Sequence, residues 1–88
     1  MATTDESREA HHSRARSAAL GWAERAEDEY EESRHYADQA RADEKQPFRD
    51  PAGYRKQQRE HAELAADARA MAEMWARVAA LYPAPPES

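Results

Sequence analysis

The sequence predicts an all-α fold: an antiparallel two-helix hairpin, paired with a second copy into a dimeric four-helix bundle. Three observations carry this expectation. Of the 88 residues, 21 are alanine and 35% are charged, the composition of long helices. Large apolar side chains are too few for a sheet core: three Leu, one Val, three Met, one Phe, two Trp, four Tyr and no Ile. Finally, proline is absent before Pro47 and again between Pro51 and Pro83, which leaves two long uninterrupted segments.

The first segment predicts a helix over about residues 5–44. Its start is marked by Thr3 to Glu6, TTDE, which reads as a capping box with Thr3 as N-cap and Glu6 reaching back. Gly21 is its weak point, costing about 1 kcal/mol relative to alanine. The stretch KQPFRDPAGY, residues 45–54, interrupts the helical pattern and predicts a turn over about 45–50. Asp50-Pro51 then starts a second helix over about residues 51–82, with Asp50 as N-cap and Pro51 at the first helical position. Pro83 ends it, so the reading is a single hairpin domain over 1–82 and a Pro-rich disordered tail over 83–88.

Both segments repeat their seam residues at alternating spacings of three and four. Helix 2 offers Tyr54, Gln57, His61, Leu64, Ala68, Met71, Trp75, Val78 and Tyr82. Helix 1 offers Ala15, Ala19, Trp22, Ala26, Glu29, Ser33, Tyr36 and Ala40. A reversal near residues 48 and 49 predicts facing pairs whose numbers sum to about 97, including Trp22 with Trp75, Ala26 with Met71 and Tyr36 with His61. The apolar arc of helix 2 covers about half its circumference, more than one partner helix covers. Trp22, Met71, Met74, Trp75, Val78 and Leu81 are therefore the candidate oligomer interface.

Composition also excludes function classes. Without cysteine there is no disulfide framework, zinc–thiolate site or thiol nucleophile. The net charge of −5 argues against a dedicated nucleic-acid binder, and no apolar run has membrane-spanning length. The N-terminus lacks the basic and apolar blocks of a signal peptide, so the expected location is cytoplasmic, with no membrane partner. Histidine spacing matches no metal motif, and neither a phosphate-binding glycine loop nor a nucleophile with a nearby base is present. No catalytic residue, cofactor, metal or small-molecule substrate is expected.

Two charged regions remain as candidates. AEDEYEE, residues 26–32, together with Glu24, forms an acidic face from Glu24, Glu27, Asp28, Glu31 and Glu32. It reads as a solvated helix face, or functionally as a surface for a basic partner or a nucleic-acid mimic. The turn end gathers Arg41, Lys45, Arg49, Arg55, Lys56 and Arg59 around Phe48 and Tyr54. That basic tip reads as a solubilising end with Phe48 folded back over it, or as a partner-binding surface on a rigid scaffold.

In length, composition and architecture the chain resembles the secreted helical hairpins of the WXG family. The likeness is architectural: QPFRDPAG occupies the turn where that family carries Trp-X-Gly, and Gly21-Trp22 lies mid-helix in reversed order. The expected function is a non-enzymatic, self-associating protein–protein interaction module. The alternative expectation is a small regulator of nucleic-acid transactions, acting through the tip or the acidic face.

Overall fold

A computed structural model describes residues 2–82, with side chains from residue 6 onward. It is an all-α hairpin: α1, Ala2–Glu44, packs along its length against α2, Ala52–Leu81. The molecule is a thin rod of 72 × 18 × 13 Å. Its length follows from α1, whose 43 residues rise about 64 Å at ~1.5 Å each. The helix is already underway at Ala2, so Thr3 is not its N-cap; the side chains of 2–5, and the tail 83–88, lie outside the described residues.

The end of α1 tightens before it stops. Lys45 N–H donates to Ala42 O at 3.3 Å and Gln46 N–H to Asp43 O at 3.0 Å, i to i−3 bonds that satisfy carbonyls left free at a helix end. Pro47 has no N–H to continue the ladder. At the start of α2, Ala52 N–H donates to Asp50 Oδ1 at 3.0 Å, and Arg55 N–H donates to Pro51 O at 2.9 Å. Pro51 has φ −78° and ψ 0°, so the Asp-Pro start signal acts as expected although the first regular helical residue is Ala52. Among the described residues none has positive φ, so the reversal does not depend on Gly53, which sits inside α2 with open space where a Cβ would be.

The register differs from the expected one. Cross-helix partners are His12 with Ala79 and Ser33 with Gln58, whose numbers sum to 91, and Glu29 with His61 and Tyr36 with Tyr54, which sum to 90; the expected pair Tyr36 with His61 does stack, because the long Tyr36 side chain reaches both Tyr54 and His61. The sum of about 97 is therefore corrected by about six residues. The cause lies in the turn. In the observed register Ala52 stands level with residue 39, so α1 overshoots the start of α2 by about 8 Å. Residues 45–51 come back down that distance, and Pro51 arrives level with Ala40, which is only 1% exposed.

All eight seam positions expected on α1 are buried or half-buried. On α2 seven of the nine expected seam positions are also buried or half-buried; Gln57 and Leu64 are exposed, and Gln58 and Ala65 take the inward positions beside them. Two kinds of layer result. In one, Ala19 stands level with Ala72 and Ala26 with Ala65, small side chains on both helices. In the other, Ala15 stands level with Trp75 and Trp22 with Ala68, so each indole lies against an alanine and the expected Trp22–Trp75 layer does not form. Ala15 and Ala68 are each 1% exposed, which is what a tryptophan laid across a methyl group produces.

Candidate functional site

The column of α2 that turns outward decides what the rod offers to its surroundings. Alanine fills the seam because two alanine columns let helix axes approach to the lower end of the ~8–10 Å range. The larger apolar side chains of α2 are turned to one flank. Leu64, Met74 and Leu81 are 44%, 41% and 76% exposed, and Met71 and Val78 are half-buried beside them. Of the expected interface residues, Met71, Met74, Val78 and Leu81 share this flank. Trp22 and Trp75 are half-buried on the hairpin's own seam. The Arg25 guanidinium lies 5.3 Å from the centre of the Trp22 ring, covering its outer edge.

The seam itself becomes polar towards the turn. His61 Nδ1 donates to Glu29 Oε2 at 2.5 Å, and the Tyr36 ring stacks on His61 at 5.4 Å and on Tyr54 at 6.2 Å. Ser33 Oγ donates to the Gln58 carbonyl at 3.2 Å. Near the other end, His12 Nδ1 donates to the Ala79 carbonyl at 3.2 Å, and His11 packs on Tyr82 at 4.9 Å between ring centres. Three of the four histidines thus tie the two helices together. Among the described residues there is no group of three or more His, Asp or Glu placed to hold a metal ion. The Glu29–His61 pairing escaped the sequence reading because it follows from the register, although the seven-residue spacing of Glu29 from Tyr36 and of Tyr54 from His61 carried the signal.

At the turn, Phe48 is 99% exposed and does not fold back over the hairpin end. Arg41, Lys45, Arg49, Lys56 and Arg59 are exposed, Arg59 lower down the rod, level with Glu32. Arg55 forms an ion pair with Glu44 across the turn, and Tyr54 belongs to the aromatic stack inside the hairpin. The tip is therefore narrower in chemistry than its eight expected residues: an exposed phenylalanine with Lys45, Arg49 and Asp50 exposed near it in sequence. Glu24, Glu27, Asp28, Glu31 and Glu32 are all exposed, while Glu29 between them points into the seam.

No helix among the described residues is long and apolar enough to cross a membrane. Comparison of the chain with family models, with curated proteins and with solved structures returned no match.

Proposed function

We propose that this chain is a non-enzymatic interaction module that self-associates into a dimeric four-helix bundle. The observation that carries the reading is the flank of α2, where Leu64, Met74 and Leu81 stand exposed while alanines occupy the seam. Covering that flank removes Leu64, Met74 and Leu81 from water, and a second copy of the same flank is a self-complementary cover. The shallow, open relief of so thin a rod favours a flat protein surface over a small-molecule site. Analytical ultracentrifugation at micromolar concentrations tests the proposal. A dimer that Leu64→Gln with Met74→Gln converts to a helical monomer supports it, and a monomer for the parent chain removes it.

A second reading rests on Phe48, which stands exposed, with Lys45 and Arg49 near it in sequence, where a base could stack. In that reading the tip engages single-stranded nucleic acid. A gel shift at two salt concentrations separates the two readings, since binding through phosphates weakens steeply with salt.

A further inference from the structure

The charges along the apolar flank have an order, and that order selects one way of pairing two copies. The inference rests on the self-association proposed above. In the observed register, Asp28 and Glu32 of α1 lie beside Glu60, Glu63 and Asp67 of α2, on the turn side of the flank. Towards the free end the same flank carries Arg14, with Arg77 at its outer edge; on the turn side Arg25 and Arg59, the latter at the helix angle of Arg77, leave the five carboxylates in excess over two cations. All nine side chains are exposed. Between the two regions lie Leu64, Met71 and Val78, spaced seven apart so that Met71 is their midpoint.

The geometry points to a two-fold dimer in which the rods run antiparallel, α2 lies against α2 of the second copy, and Met71 sits at the symmetry axis. Leu64 of each copy then meets Val78 of the other, and Arg77 comes level with the space between Glu63 and Asp67. Arg14 likewise comes level with Glu24. The alternative closed arrangement sets the rods parallel, with α1 of each copy against α2 of the other. That arrangement brings the two carboxylate regions to the same height, ten carboxylates against four guanidiniums, an excess of negative charge that disfavours it.

Beside the axis, Ala18 is small and Gly21 has nothing within 4 Å of where a Cβ would stand, so neither obstructs Met71 or Met74 of the second copy. The overlap, from about residue 60 to Tyr82 on α2, is about 33 Å long. With a rod width of 18 Å it buries about 600 Å² on each copy, about 1,200 Å² in all, enough for a specific interface. The arrangement has a functional consequence. Both Phe48 tips project beyond the overlap at opposite ends, about 70 Å apart, so the assembly is a bivalent rod with two exposed tips.

Because the chain has no cysteine, single introduced thiols report the geometry directly. Met71→Cys is expected to form a covalent dimer on mild oxidation, since Met71 meets itself only at a two-fold axis. Leu81→Cys alone is expected to stay uncrosslinked, whereas Leu64→Cys mixed with Val78→Cys should crosslink as a heterodimer. Circular dichroism of each reduced variant confirms that the hairpin is intact. Arg77→Glu is expected to weaken pairing by about tenfold, through two symmetric contacts, and Glu63→Arg with Asp67→Arg in the same chain to restore it. A sedimenting dimer whose Met71→Cys form does not crosslink, or one that crosslinks between Glu32→Cys and Glu60→Cys chains, which are level only in the parallel arrangement, overturns the antiparallel geometry while leaving self-association standing. A parent chain that sediments as a monomer overturns both.

Discussion

His61 Nδ1 stands 2.5 Å from Glu29 Oε2, with the Tyr36 ring stacked on the imidazole at an interplanar angle of 14°. The two side chains are 24% and 20% exposed, so water competes weakly for either partner. This is the one layer of the seam where a carboxylate is turned inward from the acidic stretch, and its acceptor role explains why.

Removing the carboxylate leaves the histidine N–H without its partner in a largely buried position. Glu29→Ala should therefore cost about 1–3 kcal/mol. Glu29→Gln retains an acceptor oxygen and should cost less. Urea denaturation of Glu29→Ala, His61→Ala and the double variant forms a mutant cycle, and a coupling close to zero would mean that the pair contributes nothing to the hairpin.

Asp50 acts on the first turn of α2 by accepting the Ala52 N–H at 3.0 Å. Asp50→Ala should destabilise the hairpin by about 0.5–2 kcal/mol, the usual cost of losing a cap. Hydrogen exchange should rise at the amides of residues 52–54 and stay unchanged near Trp75. Uniform acceleration along the chain would show that the cap governs global rather than local opening.

Towards the turn, Arg49, Lys56 and Arg59 are exposed. Reversing all three to glutamate should leave the circular dichroism melt unchanged and abolish retention on immobilised polyglutamate. Arg55→Glu differs, because it breaks the ion pair with Glu44; at 48% and 42% side-chain exposure that loss is at most about 1 kcal/mol. Phe48→Ala, at a residue 99% exposed, should change stability by less than about 0.5 kcal/mol. Loss of helicity in the triple variant would show that these cations hold the turn together.

Much of the hairpin was legible in the sequence. The proline positions gave both helix boundaries to within a few residues, and the three–four spacing found all four fully buried positions of α1, Ala15, Ala26, Ser33 and Ala40, while missing the half-buried His12. Of the two seam columns of α2, that of Tyr54, His61, Ala68, Trp75 and Tyr82 lies inward as expected, and the other differs for a physical reason. Leu64, Met71 and Val78 are larger than Ala65, Ala72 and Ala79, and hydrophobic size alone turns them inward. Close approach of two long helices instead favours alanine on both facing columns, and the repeat of Ala65, Ala72 and Ala79 at seven-residue spacing was the signal for it. The register was missed because a turn was treated as a symmetric cap. Nothing in KQPFRDPAGY states that the chain descends by about 8 Å before α2 begins.

Ala26 tests that alanine seam most sharply. It is 9% exposed and stands level with Ala65, itself 4% exposed, in a layer with no large side chain on either helix. Ala26→Leu adds three carbons in a layer of two buried alanines, and overpacking of this kind costs about 1–3 kcal/mol. Ala65→Leu should cost as much, because it enlarges the same layer from the other side. Leucine is nearly as good a helix former as alanine, so propensity does not account for a loss of that size. Ala42→Leu, at an exposed position near the end of α1, is the control and should change stability by less than about 0.5 kcal/mol. All three belong in urea denaturation at matched protein concentration, since self-association would make stability depend on it. The double variant should be worse than either single one by more than their sum, because the two leucines compete for one space. If Ala65→Leu is neutral while Leu64→Ala is costly at every concentration, the larger column faces α1 after all, and the register of 90 to 91 is wrong.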